Sequence, residues 1–251
     1  METSRCTVNI MTVNLRFGLA DDGKNSWENR KQTFPELFRT HAPDFIGVQE
    51  ANNFQTAYLS HILENYNHIG ECESSPDFWQ DNIIYYRKTW ACEDSRHYFL
   101  SETPSVISKL PDSQWQRQCT IGLFKNKDRE LIHANTHFDF KASVQEKSVG
   151  FVMDFLNDFP EDTPTIITGD FNTSPDSRTY ALFMEQGFKD LFVNEHSSTF
   201  HGFTGKALGG HIDWILYRGK LVGTGHRVIR DTFSGLYPSD HYPVESVFEL
   251  Y

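Results

Sequence analysis

The stretch PTIITGDFN, residues 164–172, is an apolar run that stops at acidic and amide side chains. Its β-branched residues predict a buried strand over residues 165–168, and Asp170 and Asn172 follow at once. A carboxylate after a strand is commonly a turn or cap residue. Here Ser174 already occupies the N-cap position of a helix predicted over residues 175–186. Asp170 is therefore a candidate for chemistry.

Two earlier runs end in the same way. VNIMTVNLRF predicts a strand over residues 8–15 with Asn14 near its end, and DFIGVQE predicts a strand over residues 45–49. Glu50 follows the second run, and glutamate is not a favoured cap or turn former. Glu50 is therefore less easily explained by local structure than an aspartate would be.

Two further predicted strands carry polar side chains at alternate positions. In LIHANTHFDF the period of two places His133, Asn135 and His137 on one face. In GGHIDWILYR the same period places His211 and Asp213 opposite Trp214. These polar groups interrupt strands that would otherwise pack well, although a histidine in a strand is commonly a hydrogen-bonded core residue.

The stretch PSDHYPV, residues 238–244, places Asp240 directly against His241 between two prolines. Proline fixes φ and removes a backbone donor, so this segment is predicted as a stiff turn that leads into a final strand, residues 244–250. A terminal strand does not require an acid and an imidazole at its start. Both residues are candidates for a site.

Length and periodicity predict one α/β domain over residues 1–251. The chain has 251 residues, 38% of them hydrophobic, and 21 are Phe, which is enough for a sizeable core. Apolar runs alternate with longer amphipathic stretches. Besides those above, the strands are predicted at residues 82–86, 120–125, 131–136 and 211–217. The helices are predicted at residues 27–40, with Ser26 as N-cap, 54–63, 143–157 and 175–186, with Gly187 just past the end of the last.

Composition argues against several classes of protein. No stretch approaches the roughly 20 apolar residues of a membrane span, and METSRCTVNIMTV lacks a targeting pattern, so a cytoplasmic location is expected. The four cysteines are scattered without a CxxC pair, which favours ordinary thiols over a zinc site or disulfides; they are Cys6, Cys72, Cys92 and Cys119. The net charge of −11 opposes capture of long nucleic acid, although a local basic groove stays open.

Taken together, the polar residues at the strand ends form a set that suits a divalent cation. Its members are oxygen-rich and include two imidazoles and no thiolate: Asn14, Glu50, His137, Asp170, Asn172, Asp213, Asp240 and His241. Hard oxygen ligands suit Mg²⁺ or Mn²⁺, and a cluster of carboxylates would repel itself unless a cation lay among it. Hydrolysis of a phosphate ester uses such a set, because the metal offsets growing negative charge while a carboxylate deprotonates water.

The motifs GVQE, NTHFD, TGDFN, IDWIL and SDHYPV, in that order, resemble the endonuclease/exonuclease/phosphatase superfamily. This is the fold family of deoxyribonuclease I, abasic-site endonucleases, neutral sphingomyelinases and deadenylases. SWENRK and LSETP further resemble a bacterial branch of it. The resemblance implies a four-layer α/β sandwich of two packed, mostly antiparallel β-sheets flanked by helices, with the site at the strand ends.

The resemblance also implies roles. Glu50 matches the principal metal ligand, with Asn14 and Asp240 completing or adjoining that site. The other matches concern catalysis: Asp170 orients the attacking water, Asn172 contacts the phosphate, His241 binds the scissile phosphate and supports acid/base chemistry, Asp213 orients His241, and His137 is a second phosphate-contacting histidine.

Two positions near the expected site stay open. Arg117 precedes a central strand, and its guanidinium either binds a phosphate through two N–H groups or belongs to a surface ion pair. Several family members have a glutamate that pairs with the first histidine, whereas this chain has Gln80 followed by Asp81 in FWQDNIIYYRK. The usual carboxylate partner of His137 is then missing.

The resemblance leads to a divalent-metal-dependent phosphodiesterase of nuclease type, with a phosphatase of a small phosphorylated metabolite, nucleotide or lipid headgroup as the alternative. A catalytically inactive binding module is disfavoured, because every expected position holds a competent residue. Specificity is expected in the loops 18–25, 71–80 and 197–210. We expect a monomer that acts on a short nucleic acid or a small molecule, without a strong basic surface for long duplex DNA.

Overall fold

Two β-sheets pack face to face in the computed structural model, which describes residues 6–71, 76 and 78–251. Residues 1–5, Cys72, and residues 73–75 and 77 of the predicted specificity loop lie outside these. Within the described residues each sheet has six strands. In chain order the strands are β1 Cys6–Asn14, β2 Phe45–Ala51, β3 Tyr66–Ile69, β4 Asp81–Arg87, β5 Ala91–Phe99, β6 Gln118–Asn126, β7 Arg129–His137, β8 Thr165–Asp170, β9 Lys189–Asp190, β10 Asp213–Arg218, β11 Leu221–Val228 and β12 Val244–Leu250.

The strand order is β11-β12-β1-β2-β4-β3 in the first sheet and β5-β6-β7-β8-β10-β9 in the second. Neighbouring strands are antiparallel except for β1 with β2 and β7 with β8. Each sheet thus has one parallel pair near its middle. The predicted arrangement of mostly antiparallel strands is confirmed.

Helices cover the outer face of each sheet. They are α1 Trp27–Arg30, α2 Phe34–His41, α3 Asn53–Ile62, α4 Ala142–Leu156 and α5 Arg178–Glu185. The core divides accordingly. Ile10 and Phe45 pack between the sheets, whereas Met11 and Ile46, one position along the same strands, pack against α2 and α3. This alternation with a period of two produces the expected four layers of helix, sheet, sheet and helix.

A buried polar network joins the two sheets close to the edge where the candidate residues lie. Asn135 on β7 donates to the carbonyls of Val48 (2.8 Å) and Ile83 (3.0 Å) and accepts from Gln49 Nε2 (2.7 Å). Gly47 allows this approach, since a Cβ there would lie 2.1 Å from Thr168 Oγ1. The sheets are therefore held in a fixed relation where the site forms.

Two helices differ from the prediction. The helix expected over residues 27–40 is interrupted at Lys31–Thr33 and restarts at Phe34, because Pro35 has no N–H to continue the first helix. The helix expected from Pro175 begins at Arg178, and its cap is Ser177, whose hydroxyl accepts from Tyr180 N at 3.2 Å, rather than Ser174. Gly187 follows the helix with φ +79°, as predicted.

All eight predicted strands are present, with bounds within two residues of the prediction. The strands β3, β5, β9 and β11 were not predicted. β5 reads ACEDSRHYF, which is too polar to show an apolar run, and β11 contains two glycines. All four lie at sheet edges, and β9 has only two residues, so none needs a continuous apolar pattern.

Cys6, Cys92 and Cys119 are free thiols, as expected. Among the helices of the described residues, none has the length and apolar character required to cross a membrane.

Candidate active site

The candidate residues meet at one edge of the sandwich. Asn14 ends β1, His137 ends β7 and Asp170 ends β8, while β10 runs in the opposite direction and begins at Asp213. In register, Asp170 stands directly between His137 and Asp213. Asn14 reaches across from the other sheet and donates its Nδ2 to Asp170 Oδ2 at 2.9 Å. The strand ends of both sheets therefore form one site.

Asp170 is the central carboxylate. Its Oδ1 accepts from the backbone N–H of Asn172 at 2.9 Å, and its Oδ2 lies 3.5 Å from His137 Nε2 and 3.8 Å from His241 Nε2. Burial, followed by the charge of Asp213, raises the pKa of Asp170 to about 7. A carboxylate with such a pKa is a stronger base than an ordinary aspartate at neutral pH.

His241 and Asp213 form a buried pair. His241 Nδ1 lies 2.9 Å from Asp213 Oδ2, so Nε2 is the ring nitrogen that faces Asp170. Burial disfavours the imidazolium, but the charges of Asp213 and Asp170 outweigh it and hold the pKa of His241 well above its ordinary value. His241 is thus a cation whose Nε2–H is available to an anion.

His137 has the opposite character. Burial, together with the charges of Arg117 and His241, holds the pKa of His137 well below its ordinary value, so its ring is neutral. The Asn172 amide Nδ2 lies 3.0 Å from His137 Nε2 and also donates to Phe138 O at 2.9 Å. Asn172 has φ +50°, a conformation that non-glycine residues rarely adopt, and this turns its amide back toward His137.

Glu50 is directed into the site by an irregular backbone. Its φ is +61°, and the pairing of β2 with β4 shifts register between Val48 and Ala51. Its two carboxylate oxygens accept from Asn14 Nδ2 (3.0 Å) and from the backbone N–H of Phe17 (2.6 Å). A strained non-glycine residue at this position is typical of functional sites.

Arg117 is buried and lies beside His137. Its nearest carboxylate is Asp139, 4.0 Å from Nε, and its guanidinium makes no hydrogen bond to the described residues. Burial lowers the pKa of Arg117, an effect that nearby carboxylates oppose. Arg117 is therefore not on the surface, and the choice between a phosphate contact and the ion pair with Asp139 stays a prediction. A buried guanidinium whose Nε has no hydrogen-bond partner among the described residues is suited to an anion.

The model of the endonuclease/exonuclease/phosphatase family matches residues 11–241. The chain belongs to this family. A structure of a family protein from Bacteroides thetaiotaomicron is 25% identical, with a TM-score of 0.91 and coverage of 99% of both chains. The mannosyl-6-phosphatase of B. thetaiotaomicron VPI-5482 is 26% identical, with a TM-score of 0.90 and coverage of 97% of this chain and 100% of that one.

A more distant structure shares the fold. D. rerio TDP2, solved with a single-strand DNA product, is 18% identical, with a TM-score of 0.78 and coverage of 96% of this chain and 98% of that one. Enzymes of the family are hydrolases of phosphoesters and generally depend on a divalent metal. Phosphoesterase is therefore the supported class of activity.

The side chains at the edge fit the divalent cation on which family enzymes depend. Donor atoms of Glu50, His137 and Asp170 lie within 4.8 Å of one another, and so do those of Asp170, Asp213 and His241. Carboxylate oxygens dominate both groups, and neither includes a cysteine. This donor set suits Mg²⁺ or Mn²⁺ better than a thiophilic metal.

Asp240 lies outside both groups of possible ligands. Its Oδ1 accepts from Ser239 Oγ at 3.1 Å, and its Oδ2 lies 3.7 Å from Arg16 Nε. Arg16 is also paired with Asp22, at 3.0 Å from both Nε and Nη2. The role of Asp240 as a metal ligand stays a prediction, and the charged group that the structure places near its carboxylate is Arg16.

Sequence reasoning assigned no role to Arg16 or Arg30. Arg30 is completely buried and donates to the carbonyls of Pro238 (2.8 Å), Arg16 (3.0 Å) and Asn25 (3.1 Å). Burial lowers its pKa to about 10, so it stays charged at neutral pH. A signal was available, because Trp27, Arg30 and Phe34 have the spacing of an apolar helical stripe.

Proposed function

We propose that the protein is a Mg²⁺- or Mn²⁺-dependent phosphoesterase in which Asp170 activates the attacking water. The observation that carries the proposal is the juxtaposition of Asp170, whose pKa is raised to about 7, with the cationic His241 at 3.8 Å. A base and an anion-binding cation side by side are what attack of water on a phosphate requires.

The residues of the chain divide the remaining tasks. His241 donates its Nε2–H to a phosphate oxygen, and Asp213 holds the ring in this orientation through Nδ1. Arg117 presents N–H groups to the same phosphate, and His137 lines the site as a neutral ring. We assign Asn172 to the phosphate as well, and its Nδ2 would have to give up its contact with His137 Nε2 or with Phe138 O to reach it. The charges of His241 and Arg117 offset that of an anion that the surrounding carboxylates would otherwise repel.

Glu50 and Asn14 are the residues that we assign to the metal, and Asp170 adjoins them. Asp240, the third predicted ligand, lies against Arg16. Glu50 and Asp170 both accept from the same Asn14 amide, which fixes the distance between the two carboxylates. A divalent cation bound there would polarise the phosphoryl oxygen and offset the negative charge that grows in the transition state.

Two classes of bond are candidates for cleavage. A phosphodiester, as in nucleases, is the expectation from the sequence motifs, and D. rerio TDP2 with its DNA product shares the fold. A phosphomonoester of a small metabolite is the second candidate. It is favoured by the likeness over nearly the whole chain to a mannosyl-6-phosphatase and by a small cavity beside His137.

The test is hydrolysis of 4-nitrophenyl phosphate and bis(4-nitrophenyl) phosphate by protein treated with chelator and then supplied with Mg²⁺ or Mn²⁺. We expect no activity in chelator and recovery with metal. Asp170→Asn should lower kcat by roughly 10²- to 10⁴-fold, whereas Asp176→Asn, an exposed acid on the same connection, should not. Full activity in excess chelator would refute the proposal.

A further inference from the structure

A cavity of about 230 Å³ opens beside His137, and we call it the leaving-group pocket. The described residues that line it are Pro76, Phe78, Trp79, Gln80, Asn82, Trp115, Gln116, Arg117, Gln118 and His137. Sites for drug-sized ligands usually measure about 300–1,000 Å³. This pocket is smaller, which favours a small leaving group such as a single ring.

The pocket is connected directly to the chemistry. His137 and Arg117 belong to its wall, and His137 Nε2 lies 3.5 Å from Asp170 Oδ2. A phosphate held between Asp170 and Arg117 would therefore have one substituent directed into the pocket. In hydrolysis that substituent is the leaving group.

Aromatic side chains form the rim of the pocket and remain exposed. Phe78 is 64% exposed and Trp115 is 49% exposed. Phe140 is 60% exposed and does not line the pocket, but its ring centre lies 5.7 Å from the Arg117 guanidinium carbon. Trp79 lies deeper and is fixed by a 2.9 Å hydrogen bond from its Nε1 to Asp81 Oδ1. Large aromatic faces left in water are typical of surfaces that stack on a ligand.

Apart from Arg117 and His137, the polar side chains of the described wall are amides. Gln80, Asn82, Gln116 and Gln118 are amides, and no carboxylate stands among the described residues of the wall. Gln118 is 2% exposed, and its Oε1 has no hydrogen-bond partner in the described part of the chain. A buried acceptor left unpaired calls for a donor, such as a hydroxyl group.

We propose that the leaving-group pocket binds the uncharged, polyhydroxylated ring of a sugar monophosphate, with Trp115 against its apolar face and Gln116 and Gln118 on its hydroxyls. This rests on the proposed function. Water forms a bond to phosphorus, the bond from phosphorus to the sugar oxygen breaks, and that oxygen takes up a proton. The products are the free sugar and inorganic phosphate.

The experiment compares kcat/KM for a hexose 6-phosphate, a nucleoside 5′-monophosphate and methyl phosphate, which has no ring. We expect the hexose phosphate to be the best substrate. Trp115→Ala should lower its kcat/KM by about tenfold, mainly through KM, as the loss of one stacking contact does. The same substitution should leave kcat/KM for methyl phosphate unchanged, because that substrate has no ring to contact Trp115. Val222→Ala, which trims an exposed apolar residue on β11, is the control and should change neither.

The results separate the two proposals. Equal losses for hexose phosphate and methyl phosphate, or a preference for the nucleotide, would overturn the sugar assignment while phosphoesterase activity stands. Metal-dependent cleavage of bis(4-nitrophenyl) phosphate without any cleavage of the sugar phosphate would also overturn it. Failure to hydrolyse any of these esters with metal present would refute the proposed function itself.

Discussion

Arg30 Nη1 donates to the carbonyl of Pro238 at 2.8 Å, although the two residues are 208 positions apart in the chain. Through Nη2 the same guanidinium holds the carbonyl of Arg16, two residues after Asn14. One buried side chain thus ties the segment after β1 to the segment that carries Asp240 and His241. The relative position of the two segments depends on it.

Replacement of Arg30 should destabilise the protein. Arg30→Met removes three hydrogen bonds, one to a buried and two to partly buried carbonyls, and at about 1 kcal/mol for each the free energy of unfolding should fall by about 3 kcal/mol. Arg30→Lys keeps the charge and should lose less. Urea denaturation measures both, with the exposed Arg39→Met as control. Equal unfolding midpoints for Arg30→Met and Arg39→Met would show that the bonds contribute nothing.

His241 and Asp213 should act as one unit in catalysis. His241→Ala should lower kcat by roughly 10²- to 10⁴-fold, and Asp213→Asn should lower it by no more than that. The double variant should be little worse than His241→Ala, because Asp213 acts through the ring that it orients. Steady-state kinetics of the four proteins form the cycle, with the exposed Asp231→Asn as control. Additive losses would contradict the pair.

Glu50 should determine how much metal the protein needs. Glu50→Gln removes one charge while nearly preserving shape, so half-maximal activity should require a higher Mg²⁺ or Mn²⁺ concentration. Titration of activity with metal measures the shift, and Glu161→Gln, on an exposed turn, is the control. An unchanged metal requirement would remove Glu50 from the metal site.

The titration of Asp170 and His241 should lower the stability of the metal-free protein as the pH rises, whereas His137, whose pKa is lowered, acts in the opposite direction and only below its ordinary pKa of 6.5. The folded pKa of Asp170 is raised from 3.8 to about 7, and that of His241 is raised well above 6.5. Each group therefore stabilises the fold below its unfolded pKa, and the contribution is lost as the pH rises through its folded pKa. The stability due to Asp170 is lost between about pH 3.8 and pH 7. The stability due to His241 begins to be lost near pH 6.5.

Urea denaturation in chelator at acidic, neutral and alkaline pH checks this. His241→Gln should flatten the alkaline part of the profile, while the exposed His61→Gln should leave it unchanged. Added Mg²⁺ should stabilise most at alkaline pH, where the carboxylates are charged. Stability that rises with pH across the neutral range would contradict the assignment.

Cleavage should depend only weakly on salt. A protein that binds duplex DNA through its phosphates loses affinity as salt is added. The logarithm of its binding constant falls with the logarithm of the salt concentration, with a slope of about −0.9 per phosphate contacted. This chain has 34 acidic residues against 23 Lys and Arg, so few contacts beyond the scissile phosphate are expected. Rates against ionic strength for a dinucleotide-sized substrate and a long duplex measure this. Faster cleavage of the duplex with a steep salt slope would reveal a basic groove built from residues distant in sequence.

The sequence by itself predicted eight of the twelve described strands and the polar residues that gather at one edge of the sandwich. Asp170, Glu50 and Asn14 could be selected as candidates because each lies at the end of an apolar run. Neither the strand nor a neighbouring cap or turn explains a polar side chain there, and such a pattern can be seen in the sequence alone. The interrupted helix after Trp27, the cap at Ser177 and the four polar or short strands were not predicted, because their stability comes from tertiary pairing rather than from a local apolar pattern.

Only the tertiary structure decided how distant charges meet. The contact of Asp240 with Arg16, the burial of Arg30 and the position of Arg117 beside His137 all join segments far apart in the chain. The raised pKa of Asp170 and the lowered pKa of His137 likewise depend on burial and on neighbouring charges. Such quantities arise from three-dimensional distances and exclusion of water, and spacing along a sequence does not encode them.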